Sequence, residues 1–188
     1  MEVIGLSGFA QSGKDHIYSH CLKSRGWMQI SYAWHFKADL IGKGVISFEE
    51  AFKTKPEKVR TMLQLVGTEL GRNVYGQLVW CNIAHAWMKI YEEHWGMDRF
   101  VIPDVRFWNE LHFIQDQLGG KVIRIKAPIR SGQSSLTTEQ NRHPSEAEMV
   151  EMKNSDFDAV IYNDEGDMDL NIQMKSIFQE FGYEYNTV

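Results

Sequence analysis

The sequence predicts an α/β fold built on a mainly parallel sheet. Short apolar segments recur along the chain, amphipathic stretches with helical spacing separate them, and glycine-containing breaks stand between the two kinds of segment. The 188 residues can bury a sizeable core, and 43% hydrophobic with 24% charged residues is an ordinary globular composition. We therefore expect a single domain over residues 1–188, and we exclude a disordered or fibrous chain.

The first half of the chain opens with a strand and continues mainly in helices. Gly26 ends the first helical stretch, and Pro56 suits a first helical turn. The predicted elements are a strand over 2–7, a helix over 13–23, a strand over 28–33, a helix over 34–41 and longer helical stretches over 56–70 and 78–95. Helical segments therefore separate the strands, as parallel pairing requires.

The second half repeats this alternation. The predicted elements are a strand over 99–103, a helix over 107–118, a strand over 121–126, a short acidic helix from Pro144, a strand over 158–162 and a closing helix over 168–181. Residues 127–143 are instead polar, rich in Ser, Thr and Gln, and without an apolar period. A loop of this length inside a compact domain is usually either a functional lid or disordered.

Charge and cysteine content narrow the class of protein. The formal net charge of −5 argues against a protein whose whole surface binds nucleic acid. Cys21 and Cys81 form no CxxC pattern and are expected to be reduced thiols. The first residues lack the features of a secretory signal, and no run reaches the ~20 apolar residues that span a bilayer. We expect a cytoplasmic protein that binds no membrane.

The first chemical motif follows the first predicted strand. Residues 8–15 read Gly-Phe-Ala-Gln-Ser-Gly-Lys-Asp, which keeps the G-x-x-x-x-G-K pattern of a phosphate-binding P-loop. At such a loop, backbone N–H groups and Lys14 surround phosphate oxygens at the start of a helix. An ordinary glycine-containing turn is the alternative. The candidate residues for binding the phosphates of ATP are Gly8, Ala10, Gln11, Ser12, Gly13, Lys14, Asp15 and His16.

The position after Lys14 departs from the usual serine or threonine. Asp15 stands there, and either it coordinates Mg²⁺ directly or through water, or the ion is held mainly elsewhere. His16 and His20 have the spacing of a metal-binding pair, but no third ligand accompanies them. We interpret the two histidines as solvated or structural.

A second motif ends the strand over 99–103. Asp104 lies where a P-loop enzyme places a carboxylate for Mg²⁺ or for an incoming hydroxyl group. Arg106, two residues further on, can neutralise phosphate in the same crevice. The alternative interpretation is that Asp104 caps the next helix. Asp15 and Asp104 are therefore the candidate metal ligands.

In order along the chain, these motifs resemble those of the bacteriophage deoxynucleoside monophosphate kinases, within the wider nucleoside monophosphate kinase group. The resemblance covers most of the chain, with landmarks at residues 5–15, 63–72, 104–110, 119–125, 143–146 and 163–166. Two positions depart from the family pattern. His16 replaces a threonine or serine, and Trp108 replaces a smaller residue that is often proline.

The resemblance implies a three-layer P-loop kinase fold with a mainly parallel central sheet. It implies transfer of the γ-phosphoryl group of ATP to a deoxynucleoside monophosphate (dNMP), with Mg²⁺, for phage-type nucleotide supply in the host cytoplasm. A helical acceptor-binding insertion is expected over about 44–97, and a short lid over about 127–146. The lid residues Arg130 and Arg142 are expected to close over the phosphates, unless they are simply exposed. The resemblance also suggests a homodimer.

Roles for individual residues follow from the same resemblance. Lys14 would stabilise the transferring group, Asp104 would anchor Mg²⁺ or orient the acceptor, and Arg72 and Arg106 would grip the acceptor phosphate. The substrate-binding candidates are Lys37, Glu69, Arg72, Trp80, Arg106, Asn109 and Glu110. A helix cap or a solvated side chain is the alternative for the polar members. For Trp80, the alternative is a place in the core.

Other functions remain open at this point. A P-loop kinase can act on a different acceptor, such as a modified base in DNA or a phosphometabolite like phosphomevalonate. A nucleotide-binding module with little turnover is the alternative outside the enzymes. The acidic balance and the lack of a basic tail disfavour stable nucleic-acid binding, and the lack of a guanine-reading motif disfavours a GTPase switch.

Overall fold

This computed structural model describes residues 1–127, 144–164 and 167–185, and within them five strands form one sheet. The strands are β1 (Glu2–Ser7), β2 (Met28–Gln29), β3 (Arg99–Val105), β4 (Lys121–Lys126) and β5 (Ala159–Tyr162). They lie in the order β2-β3-β1-β4-β5, and every neighbouring pair is parallel. The predicted α/β class with a parallel sheet is therefore confirmed.

Helices connect the strands and cover both faces of the sheet. They are α1 (Lys14–Ile17), α2 (Tyr32–Gly42), α3 (Glu57–Leu65), α4 (Asn73–Tyr75), α5 (Val79–Trp95), α6 (Trp108–His112), α7 (Pro144–Glu151) and α8 (Asp167–Phe181). Wider π-helical turns occupy Tyr18–Leu22, Glu50–Thr54, Val66–Arg72 and Phe113–Gln117, and 3-10 turns occupy Lys23–Arg25 and Asn154–Asp156. Four of these turns extend α1, α3 and α6, so those helical stretches have about their predicted lengths.

Two apolar cores lie on opposite faces of the sheet. On one face, Met88 of α5 packs in the cluster that contains Val3 and Phe100. On the other face, Ile17 of α1 and Phe178 of α8 pack in a cluster with neighbouring strand residues. A strand that is covered on both faces has apolar residues at most of its positions, which is why these strands could be predicted from the sequence.

A third, smaller core lies within the region expected to bind the acceptor. Leu40 of α2 packs with Ile46, Ala51 and Val59 of the following segments. The indole N–H of Trp80 donates to the carbonyl oxygen of Gly67 at 2.7 Å. The helices between β2 and β3 therefore have apolar contacts of their own.

Two strands differ from their predicted bounds by two residues or more. β2 ends at Gln29 because Ser31 begins α2, where its hydroxyl accepts a hydrogen bond from the Ala33 N–H at 3.2 Å. β3 continues through Pro103 to Val105. Proline is tolerated there because β2 pairs only with the earlier part of β3 and because the register with β1 shifts next to Pro103.

Candidate active site

The loop between β1 and α1 has a conformation that requires its glycines. A Cβ at Gly8 would lie 2.6 Å from the carbonyl oxygen of Ile125, which leaves no room for a side chain. Gly13 has φ of 91°, in the left-handed region that favours glycine, and Gln11 has φ of 65°. The loop therefore curls tightly against β4, as a phosphate-binding loop does.

Lys14 folds back over this loop. Its ammonium donates to the carbonyl oxygens of Gly8 at 2.5 Å and Phe9 at 2.8 Å. The side chain thus lies directly above the concave backbone of residues 8–14. This geometry supplies a cation at the place where phosphate oxygens would sit.

Asn163, just after β5, anchors the same loop. Its side-chain amide donates to the Ser12 carbonyl oxygen at 2.9 Å, and its own N–H donates to the Lys126 carbonyl oxygen at 2.7 Å. Ser12 and Asn163 are both buried. Sequence reasoning assigned Asn163 no role in the site, because nothing local links it to the loop.

Asp104 lies next to the P-loop because the carboxyl ends of β1 and β3 are adjacent, with Ser7 paired to Val105. Its carboxylate accepts hydrogen bonds from the Ser31 hydroxyl at 2.7 Å and from the N–H groups of Tyr32 and Ala33, both at 3.1 Å. Asp104 therefore does cap a helix, but the helix is α2 rather than the next one along the chain. Sequence reasoning missed Ser31.

Several charges surround Asp104. The ammonium of Lys37 lies 4.6 Å from the centre of the Phe52 ring. Partial burial, followed by repulsion from Lys55 and then Arg106, lowers the pKa of Lys37, while Asp104 and Asp15 act in the opposite direction. The charges of three other predicted site residues, Arg106, Asp104 and Asp15, therefore act on Lys37. Lys55, which lies on the turn after Phe52, had not been predicted.

Arg72 and Glu110 form a buried ion pair, and their side chains are 6% and 2% exposed. The Arg72 guanidinium also lies 3.8 Å from the centre of the Phe107 ring. Burial raises the pKa of Glu110, and the charge of Arg72 opposes that shift. Asn109 donates through its side-chain amide to the Gln77 carbonyl oxygen at 2.6 Å. In this structure, Arg72 and Glu110 bind each other.

The remaining candidates are spread more widely. Trp80 packs on Gly71, where a Cβ would lie 2.3 Å from the indole, and its ring centroid is 5.0 Å from that of Phe36. Glu69 is exposed. The rings of His16 and His20 lie 3.9 Å apart. Arg130, Arg142 and most of the expected lid fall outside the described residues, as does His143.

The carboxylates fit a magnesium ion that is held mainly by nucleotide phosphates. Mg²⁺ typically binds one or two carboxylates together with substrate phosphates and water. Oδ1 of Asp104 accepts one hydrogen bond from the described residues, so acceptor capacity remains, and Asp15 is exposed at the start of α1. Across the residues that the structure describes, no group of three His, Cys, Asp or Glu side chains forms a metal site. Phosphate oxygens would therefore have to complete the coordination.

Comparison with solved structures supports the fold. The dephospho-CoA kinase of Campylobacter jejuni is 18% identical, with a TM-score of 0.54, over 96% of this chain and 98% of that one. TT1252 of Thermus thermophilus is 17% identical, with a TM-score of 0.54, over 95% and 97%. No curated protein matches the sequence. None of the described helices is both long and apolar enough to cross a membrane.

A family profile addresses the activity directly. The profile described as deoxynucleotide monophosphate kinase matches residues 29–174. This range contains Lys37, Asp104, Arg106 and the helices between β2 and β3, and it begins after the P-loop. It confirms the kinase class and the use of nucleotides that the motifs predicted. The chain belongs to the deoxynucleotide monophosphate kinase family.

Proposed function

We propose that the protein transfers the γ-phosphoryl group of ATP to the phosphate of a dNMP at the cleft between the P-loop and Asp104. One observation carries the assignment of the site. The carboxyl ends of β1 and β3 are adjacent, so the loop that carries Lys14 and the segment that carries Asp104 and Arg106 follow neighbouring strands. Phosphoryl transfer depends mainly on positioning and charge neutralisation, and this arrangement suits both needs.

On the donor side, the loop and Lys14 would hold the triphosphate. The two carbonyl partners of Lys14 would give way to phosphate oxygens, which are charged and therefore form stronger hydrogen bonds with an ammonium. The N–H groups of residues 8–14 would point at the same oxygens. Asp15 and Asp104 would hold Mg²⁺, which supplies neutralisation of phosphate charge when bound.

On the acceptor side, Arg106 and Lys37 would bind the dNMP phosphate. The charges of Asp104 and Arg106 both act on Lys37, and Lys55 adds a third cation from the helical insertion. Burial is the largest cause of the lowered pKa of Lys37, and the neighbouring cations Lys55 and Arg106 add to it. Asp104, held by the start of α2, would keep the acceptor oxygen in line. The expected lid roles of Arg130 and Arg142 remain predictions, as does the setting in the cytoplasm of a phage-infected host.

We also propose that the protein forms a homodimer through α5. Trp87 and Trp95 are 42% and 64% exposed and flank Tyr91 at equal spacing along the helix. A two-fold axis at Tyr91 would place Trp87 against the partner copy's Trp95. Light scattering should give twice the chain mass, and a Trp95→Glu variant should give the mass of one chain.

The activity is tested by coupled detection of ADP release with ATP and Mg²⁺. The acceptors are the four dNMPs, the ribonucleotides, modified pyrimidine monophosphates, phosphomevalonate and short DNA. We expect turnover with at least one dNMP. Turnover only with DNA or phosphomevalonate would contradict the proposal, and nucleotide binding without turnover would indicate a binding module.

Lys14→Ala tests the assignment of the P-loop. Turnover should fall at least about a thousandfold, because the transferring group loses its cation. The unfolding temperature should change little. Lys23→Ala, at an exposed lysine near the end of the same helical segment, is the matched control and should keep its rate. A near-normal rate for Lys14→Ala would show that the loop does not bind the transferred phosphate.

A further inference from the structure

The end of the helical insertion is joined to the β3–α6 loop by one buried ion pair. Arg72 closes the π-helical turn Val66–Arg72, and Glu110 lies in α6, 38 residues further along the chain. An ion pair of this burial is geometrically demanding, because each charge has lost water and depends on its partner. The pair therefore fixes the distance between the insertion and the loop.

Glu110 also holds the backbone that carries Arg106. While Oε1 accepts from Arg72, Oε2 accepts from the N–H of Arg106 at 2.7 Å and from the N–H of Phe107 at 3.1 Å. The Phe107 ring in turn lies against the Arg72 guanidinium. One carboxylate thus connects the insertion with the main chain of a phosphate-binding candidate.

We propose that Glu110 and Arg72 are positioning residues, which orient Arg106 toward the acceptor phosphate without touching the substrate themselves. This inference rests on the proposed function of the cleft. It assigns the two residues a role different from the direct contacts that the sequence predicted. Arg72 is only 5% exposed and is already bound to Glu110, so its guanidinium is not presented to a ligand. Arg106 has an intermediate exposure.

The contacts between the helical insertion and the β3–α6 loop also link the movements of the two segments. Asn109 reaches the Gln77 carbonyl oxygen at 2.6 Å, so the loop and the insertion are tied at a second point. A shift of the insertion would move the Arg106 backbone with it. The acceptor-binding helices and the phosphate ligand are therefore expected to move as one unit.

A double-mutant cycle tests this role. Glu110→Gln should lower kcat/KM for the acceptor by about ten- to a hundredfold, as expected for a misplaced phosphate ligand. The KM for ATP should change less than about twofold, because the P-loop is not involved. In the Arg106→Gln background, Glu110→Gln should add less than about a threefold loss. Equal losses in both backgrounds would show that Glu110 does not act through Arg106.

Asp158→Asn is the matched control. Like Glu110, Asp158 pairs with a cation and binds a backbone N–H. Its carboxylate accepts from the Lys121 ammonium at 3.0 Å and from the Val122 N–H at 2.8 Å. It lies at the opposite end of the sheet, by the start of β4. Its loss should lower the unfolding temperature but leave the acceptor KM within about twofold.

A second readout does not depend on activity. Amide hydrogen exchange at Arg106 and Phe107, followed by NMR, should be at least about tenfold faster in Glu110→Gln. Unchanged exchange would overturn the proposal. If the unaltered chain shows no turnover, the proposed function fails, while the exchange rates still test the positioning.

If Glu110→Gln does not fold, Arg72→Lys tests the same proposal, because the lysine keeps a positive charge beside Glu110. Its effect on the acceptor kcat/KM should disappear in the Arg106→Gln background. A rise of about tenfold in the acceptor KM in both backgrounds would instead identify Arg72 as a direct phosphate ligand.

Discussion

Gly8→Ala tests whether the P-loop has to pack closely against β4. The new Cβ would lie 2.6 Å from the Ile125 carbonyl oxygen and 2.7 Å from the Ser12 hydroxyl oxygen. The first of these atoms belongs to the backbone of β4 and cannot rotate away. Because real Cβ atoms essentially never approach closer than 3.0 Å, the loop must move by about 0.4 Å or more.

The magnitudes follow from that displacement. Overpacking of this kind costs about 1–3 kcal/mol, which lowers the unfolding temperature of a chain of this size by roughly 2–12 °C. A displacement approaching 1 Å costs about a hundredfold in rate, so kcat/KM for ATP should fall by about ten- to a hundredfold. Thermal unfolding followed by circular dichroism and coupled ADP release measure the two effects separately.

Gly120→Ala is the control for this substitution. Its Cβ would lie 2.6 Å from another strand carbonyl oxygen, that of Val3, but at the opposite end of the sheet. It should lose similar stability and keep its kcat/KM for ATP within about threefold. Equal activity losses in the two variants, or a fully active Gly8→Ala enzyme, would refute the reasoning.

Two further predictions concern stability. Burial alone would raise the pKa of Asp158, but hydrogen bonds from Gln115, Val122 and Lys121 hold that pKa below its usual value. The ionised Asp158 therefore stabilises the folded chain at pH values above the unfolded-state pKa, and this stabilisation is lost as the pH falls through the folded-state pKa. The difference in unfolding temperature between the unaltered chain and Asp158→Asn should therefore shrink as the pH is lowered from 6 to 3, and a constant difference would contradict this reasoning. Trp80→Phe removes the 2.7 Å hydrogen bond to a backbone carbonyl and should cost about 1 kcal/mol in the free energy of unfolding, measured by urea titration; no change would mean that water replaces the indole N–H.

The fold could be predicted where local pattern and tertiary environment agree. β1 and β4 have the predicted bounds, because each is an apolar run covered on both faces and bounded by polar residues or glycine. β2 is shorter than predicted because Ser31 caps the start of α2, and Asp104, 73 residues away, accepts a hydrogen bond from the hydroxyl of that cap. No local pattern contains that partner.

In the candidate site, too, local features could be predicted from the sequence and contacts between distant residues could not. The P-loop is one continuous segment whose chemistry depends on its own residues, so its pattern was sufficient. Arg72 and Glu110 were predicted separately as substrate contacts, and their pairing with each other depends on the fold that brings two helical segments together. Lys55 was missed because a lysine in a charged segment has no distinguishing local pattern. Its proximity to Lys37 exists only in three dimensions.

The hydrogen bond between Asn163 and the Ser12 carbonyl oxygen has a consequence for synthesis. The P-loop leaves the ribosome early, but its anchor is made 151 residues later. At typical rates of translation, this delay is about 8–30 s. During that interval the loop lacks its partner from the far side of β5. Nascent or truncated chains without Asn163 should therefore bind ATP poorly, so that competence to bind nucleotide reports a chain whose sheet is complete.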